Sequence, residues 1–259
     1  MPGSHPSKVL RACCIALSLG GLGSTAAAQA TVKNDGRLRS AFGLGASFAS
    51  GNTDATNLSV SADGVRATDA DKLSLYLRGQ YARSNDSTTA DQTRLGARHD
   101  QNIGARMFSY LAADFERNRL TDLALRSQLG GGLGYHLIKA ADRHFDLFGG
   151  LSWSYDRYFT PTLIDDALRS RFSYPSLNLG EESQQQLTDS TRFKQRLNLL
   201  PNLKASGQYR ATWDADLAVA INKTLNLTVG LAFAYNSDPG PGRRSADTLL
   251  TTGISVKFD

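Results

Sequence analysis

The chain has 259 residues and a formal net charge of +5, from 29 Lys and Arg against 24 Asp and Glu, with 24 Gly and only 2 Cys. No uninterrupted apolar run approaches the ~20 residues of a spanning helix, which excludes a helical membrane protein. The near-balance of charge argues against a nucleic-acid binder, whose basic residues would cluster on one face.

Residues 1–30 read as a secretory signal peptide. Lys8 and Arg11 form its basic stretch, 13–22 its apolar core, and Ala26-Ala27-Ala28-Gln29-Ala30 its small-residue tail, with cleavage expected after Ala28 or Ala30. Cys13 and Cys14 precede most of the apolar core, whereas a lipoprotein cysteine would follow it. Cleavage would remove both, leaving no disulfide, thiol nucleophile or thiolate ligand. It would also remove two cations and no acid, so 29 basic residues become 27 against 24 acids. Residues 31–37 are expected as a short periplasmic segment and 38–259 as the folded unit.

From residue 38 the chain alternates apolar and polar residues. In Leu73-Ser74-Leu75-Tyr76-Leu77-Arg78-Gly79-Gln80-Tyr81, one face is Leu, Leu, Leu, Gly, Tyr and the other Ser, Tyr, Arg, Gln. Successive side chains of a strand point to opposite faces, so each such segment has one apolar and one polar face. The pattern predicts strands at 38–50, 56–68, 72–84, 92–102, 107–118, 125–138, 144–157, 191–203, 208–221, 225–236 and 247–258. Most are about ten to thirteen residues, the length with which a tilted strand crosses hydrocarbon.

Such strands fit a soluble sandwich with its apolar face inside, or a membrane barrel with that face outside. Aromatic placement favours the barrel. Phe48, Tyr81, Phe115, Tyr155, Tyr209 and Tyr235 fall near one end of their strands, and Phe42, Tyr135, Phe145 and Phe258 near the other. Two aromatic girdles flanking an apolar band are the outer-membrane pattern. Bacterial single-chain barrels have even strand numbers, so a twelfth strand is expected near 168–180, around Phe172, despite Pro175. The connections 158–167 and 85–91 are then outer loops, and 181–190 a longer periplasmic turn. The fold class is all-β, a transmembrane antiparallel up-and-down β-barrel of about 12 strands. The last strand carries Gly253, Val256 and Phe258 in the polar-Gly-x-x-apolar-x-apolar arrangement of a terminal-strand insertion signal, although Asp259 follows the aromatic.

Four short stretches carry a family resemblance by their order and spacing: Gly132-Leu133-Gly134-Tyr135, Leu179-Gly180-Glu181-Glu182-Ser183, Phe193-Lys194-Gln195-Arg196-Leu197 and Tyr235-Asn236-Ser237-Asp238-Pro239. Over 38–258 the chain resembles the YdiY-like salt-induced outer-membrane protein family, domain-of-unknown-function family 481. The resemblance implies an outer-membrane barrel and, through the family's name, a link to salt or osmotic stress. It implies no activity that could be assigned to a residue.

The polar face, assigned to the lumen, carries Arg78, Arg94, Arg98, Asp114, Glu116, Arg126, His136, Asp146, Asp156, Arg196, Asp214 and Asp216. Basic and acidic strands alternate around the wall. Pairing about the short connections sets Arg94 opposite Glu116, Arg126 opposite both Glu116 and Asp156, His136 opposite Asp146, and Arg196 opposite Asp216. Directly opposed residues have Cβ atoms about 5 Å apart, within ion-pairing range. This ladder reads as a lumen stitched by ion pairs, or as a polar conduit for small solutes. The first is preferred, because paired charges cancel the field a selective pore uses.

Catalysis on envelope lipids is the alternative class. It needs a Ser activated by a His that Asn or Asp orients. The mature chain offers His99 on the lipid-facing register, His144 at a turn, and His136 facing inward, with no serine singled out. His136 and Asp146 are two potential metal ligands where a site needs more. The glycines of Gly130-Gly131-Gly132-Leu133-Gly134 lie inside a strand with no helix after it, so they let the wall bend or leave room for neighbours such as Phe148 rather than cradle phosphate. The sequence therefore predicts a non-catalytic barrel with no cofactor and no metal, surrounded by outer-membrane lipids, inserted by the barrel-assembly machinery and monomeric.

Overall fold

The computed structural model describes residues 30–49, 55–140, 142–164, 167–239 and 243–258. The expected signal segment up to residue 29 and residues 50–54 lie outside the described residues. Twelve strands follow in chain order: β1 Leu38–Ala49, β2 Ala55–Ala67, β3 Asp71–Ser84, β4 Ser87–Asn102, β5 Met107–Asn118, β6 Leu123–Lys139, β7 Arg143–Ile164, β8 Ala167–Gln186, β9 Thr191–Pro201, β10 Tyr209–Ala220, β11 Leu225–Asn236 and β12 Ala246–Phe258. Each pairs antiparallel with the next. β1 closes on β12 from Ser40↔Phe258 to Leu44↔Ile254, so the sheet is an up-and-down barrel without a free edge.

The two-residue periodicity sorts side chains inside and out. Along β7, Leu147, Leu151 and Trp153 are exposed, whereas Asp146, Ser152, Ser154 and Asp156 are buried. Leu44 on β1 is 73% exposed and Leu111 on β5 59%, while Ser61 and Ser255 are buried. A water-soluble sandwich shows the reverse arrangement, because its apolar faces meet in the core. The outward face from Phe145 to Tyr155 covers ten steps of β7. At about 3.3 Å per step and a tilt of about 40° this is about 25 Å, the height of a barrel's lipid-facing band.

Aromatic residues border that band. Phe42 and Phe258 meet edge to face at 5.8 Å at the end holding both chain termini. Tyr209 and Tyr235 stack at 5.4 Å at the opposite end, here called the loop end. The Phe48 side chain, assigned to the loop-end girdle, lies outside the described residues.

Two sequence expectations need correction. The first is the stretch 158–190, read as a loop, a strand at 168–180 and a long turn at 181–190. β7 instead continues to Ile164, β8 runs from Ala167 to Gln186, and only 187–190 turn. Pro175 fits because of where its nitrogen points. Its carbonyl accepts the Leu203 N–H at 2.9 Å, so its nitrogen faces the same, β9 side. Regular β8–β9 pairing stops at Leu179, with one bridge beyond it at Ser176↔Asn202, so the missing N–H leaves the β7–β8 ladder intact and forgoes one bond at the end of the β8–β9 pairing. The second is the expected loop 85–91. The β3–β4 hairpin closes on Asn85 and Asp86, both with positive φ (44° and 65°), as the tight turn of a hairpin requires. β4 therefore starts at Ser87.

Candidate functional site

Among the inward side chains, two clusters of contacts stand out. In the half nearer the termini, Glu182 on β8 is the hub. Arg196 of β9 ion-pairs with it, Lys72 Nζ of β3 lies 3.5 Å from its Oε1, and His144 Nε2 lies 3.8 Å from the same oxygen. Lys72 also reaches Asp100 Oδ2 at 3.4 Å. Arg98 Nε donates to Asp100 Oδ1 at 2.6 Å. The Arg98 guanidinium carbon sits 4.4 Å from the ring centroids of both Tyr110 and Phe148, a double cation–π contact. Phe108, Tyr110 and Phe148 thus form an aromatic cluster inside the lumen.

The glycines of β6 and β8 make room for it. A Cβ on Gly134 would strike the Phe108 ring, and one on Gly180 the Phe148 ring. Between β6 and β7, Gly132 and Gly150 face each other with the backbones too close for any side chain.

The Lys72–Glu182 contact sets the shape of the lumen. β3 and β8 lie five strands apart in a ring of twelve, nearly opposite. In a round barrel with strands about 4.8 Å apart and tilted by about 40°, their Cα atoms would be about 23 Å apart. A fully extended Lys and Glu with the gap between them reach only about 15 Å. The barrel is therefore flattened along this axis, and the contact bridges its narrow dimension.

At the loop end, Arg126 Nε and Nη2 donate to the two oxygens of Asp156 at 2.8 and 2.6 Å. Its Nη1 lies 3.7 Å from Glu116. Asp156 also accepts from the hydroxyls of Tyr158 and Tyr174 at 3.3 and 3.4 Å. Arg210 crosses from β10 to Gln128 of β6 at 2.8 Å and Ser154 of β7 at 3.3 Å. A cavity of about 40 Å³ lies among these groups, room for a few waters. Above them, Arg243 of the β11–β12 connection approaches Asp122 of the β5–β6 turn at 3.7 Å.

The sequence-predicted ladder is placed as follows. Arg94 is the direct partner of Glu116, Arg126 of both Glu116 and Asp156, and His136 of Asp146. Arg196 is not opposite Asp216. Its β10 partner is Asp214, and Asp216 faces Lys194. The β9–β10 connection sets this register: Asn202 Oδ1 accepts the N–H groups of Lys204 and Ala205, and Pro201 pairs with Tyr209. Arg78 pairs with Asp63 of β2 at 2.9 Å, and Asp114 accepts from the Tyr76 hydroxyl.

His136 Nδ1 lies 2.7 Å from Asp146 and its Nε2 3.1 Å from Asn102 Oδ1, so both ring nitrogens are engaged. His144, read as a turn residue, lies in β7 instead, facing the lumen. Among the described residues no three His, Cys, Asp or Glu side chains converge as a metal cluster. In the terminal strand, Gly253 pairs with Thr228, Val256 with Leu225 and Phe42, and Phe258 is exposed at the rim. Just before β1, Asp35 accepts both Arg39 Nη groups at 2.7 and 2.5 Å and the Arg37 N–H at 3.1 Å. The Arg39 hydrogen bonds, and then the Arg37 one, hold its carboxyl well below the usual carboxylate range.

Sequence reasoning missed Asp63, Lys72, Asp100, Glu182 and Arg210. Four of these could have been found by carrying the even or odd parity of each strand to its ends. Glu182 required knowing that β8 reaches Gln186.

The family model described as "Protein of unknown function, DUF481" matches residues 42–258. No curated protein matches the chain. Among solved structures, the chain is similar to the translocator domain of the autotransporter NalP from Neisseria meningitidis, at 13% identity and a TM-score of 0.45, covering 87% of this chain and 90% of that one. It is also similar to the NanC porin (8%, TM-score 0.43, 85% and 98% covered) and to a bacterial polysaccharide outer-membrane secretin (12%, TM-score 0.40, 88% and 99% covered).

Proposed function

The chain belongs to the family described as "Protein of unknown function, DUF481", and we propose that it is a non-catalytic, integral outer-membrane β-barrel whose lumen is packed shut by its own side chains. The observation that carries this reading is the near-diametric Lys72–Glu182 contact under an Arg98–aromatic plug. The exposed leucine band and its aromatic borders support insertion, because every backbone polar group of a closed barrel is satisfied within the sheet. Lipids of the outer membrane cover the apolar face. The terminal strand with Gly253, Val256 and Phe258 is the segment offered to the assembly machinery, and the barrel works as a monomer.

The inward histidines support a non-catalytic reading: both ring nitrogens of His136 are engaged by Asp146 and Asn102, and His144 Nε2 lies 3.8 Å from Glu182, so neither stands beside a nucleophile it would activate. Passage of small polar solutes, and any role in salt stress, depends on parting the cross-lumen contacts. Lys72 is the movable element, a flexible cation held at 3.4 and 3.5 Å rather than by a bidentate fork.

Two experiments test the reading. The mature chain should fractionate with outer membranes and migrate differently in detergent gels when unheated. A soluble, detergent-independent periplasmic monomer would contradict it. Liposomes holding the refolded barrel should show no swelling in size-graded sugars. Lipid hydrolysis that disappears in His136→Ala would favour an enzyme instead.

A further inference from the structure

The outward face carries cations just above the loop-end girdle, and they are not all alike. Arg83 is paired with Asp86 at 2.9 Å and Arg117 with Asp91 at 3.1 Å. Arg157 of β7 and Arg171 of β8 are direct cross-strand partners, both exposed. Neither has an ion pair or hydrogen bond among the described residues. Like charges placed directly opposite each other destabilise a strand pair, so this position lacks a counter-charge that the neighbouring arginines have.

Its surroundings indicate which one. Arg157 stands two residues beyond Tyr155 on the same face, about 5 Å further along the barrel axis than the girdle. That is headgroup depth for a barrel inserted as proposed above. Lys204 is not part of this pair: its Nζ donates to the Ser173 carbonyl at 3.1 Å and sits 4.9 Å from the ring centroid of the buried Phe172. Lys204 borders a cleft of about 550 Å³ with apolar walls of Leu199, Pro201, Leu203 and Tyr209 and polar ones of Asn202, Ser206 and Gln208. Arginine forks match phosphate oxygens bidentately, and the cleft offers apolar walls to a chain attached to that phosphate.

We propose that Arg157 and Arg171 form a docking site for a phosphorylated lipid of the leaflet at the loop end, its phosphate between the two arginines and an acyl chain against the Leu199–Tyr209 cleft. The inference rests on the barrel being inserted with its loop end at a membrane surface, and the two can be tested apart. Insertion is read first, as heat-modifiable migration of the refolded mature chain in phosphatidylcholine vesicles. Binding is then read by native mass spectrometry of the detergent-released barrel with bisphosphorylated lipid A, and with the same lipid after removal of its phosphates.

The wild type should retain the phosphorylated lipid. The double variant Arg157→Gln/Arg171→Gln should insert equally and bind it roughly tenfold or more weakly, the loss expected for charge-assisted hydrogen bonds. Arg83→Gln, at the same level but paired with Asp86, should change binding by no more than about twofold. Equal retention by wild type and double variant, or equal retention of the dephosphorylated lipid, overturns the site while leaving the barrel reading intact. Displacement of the lipid by millimolar inorganic phosphate would assign the arginines to a soluble anion and overturn the lipid. A wild type that fails to insert overturns both.

Discussion

Replacing Arg126 by Met measures how dry the lumen is. Arg126 holds Asp156 by two hydrogen bonds of 2.8 and 2.6 Å, and the Asp156 side chain is only 2% exposed. Methionine keeps most of the volume but leaves a buried carboxylate with only the Tyr158 and Tyr174 hydroxyls at 3.3 and 3.4 Å. Removing one partner of a desolvated pair costs about 3–5 kcal/mol. The lower end, about 3 kcal/mol, applies here because those two hydroxyls remain for Asp156, and Glu116, which loses its contact at 3.7 Å, keeps the Gln92 amide at 3.1 Å. Asp156→Asn alone strands the arginine less severely, since Glu116 can still take it. The double variant should then be more stable than the sum of the singles predicts, by about 2 kcal/mol. Urea unfolding of the barrel in lipid vesicles, followed by Trp153 and Trp213 fluorescence, reads all three. A cost below about 1 kcal/mol with additive effects, the behaviour of exposed pairs, would mean that water reaches Asp156 freely, and the packed-lumen account would fail.

Three further outcomes are expected. Leu151→Arg, at a position 60% exposed in the middle of the outward band, should destabilise the vesicle-inserted barrel by about 2–4 kcal/mol; equal stability in the same urea titration would place that face away from lipid. Gly134→Ala should cost about 1–3 kcal/mol through collision with the Phe108 ring and be rescued by Phe108→Leu, and absence of rescue would remove the aromatic plug from the explanation. Asp35 has a depressed folded-state value, so its ionised form stabilises the folded state. That contribution is present above the ordinary value of 3.8 and fades as pH falls below it toward the depressed one. The urea midpoints of wild type and Asp35→Asn should accordingly differ at pH 6 and converge in strong acid; a constant difference across that range would detach Asp35 from the acid response.

The barrel was legible because its information is periodic. Every strand repeats the inside–outside alternation, and parity supplied the twelfth strand that Pro175 obscured. What parity could not supply was where β8 ends. The polar run Glu181 to Gln186 looks like a turn, since a lumen-facing acid and a solvent-facing acid have the same one-dimensional signature. That error concealed Glu182, and with it the partner through which Lys72 spans the barrel. The Arg196 register failed for a related reason. It depends on how many residues the Asn202-capped connection takes up, which the hydrogen bonds of Asn202 fix and composition does not. Contacts between adjacent strands were within reach of turn arithmetic, but contacts across the lumen depend on the flattening of the ring, which no local pattern encodes.

The most direct test of the packed lumen is single-channel recording in planar bilayers, comparing the wild type with a variant that removes one crossing contact from each half, Lys72→Ala/Arg210→Ala. With a packed lumen, the wild type inserts but shows no steady conductance steps, and the double variant does. Steady steps of the same size in both proteins would contradict it.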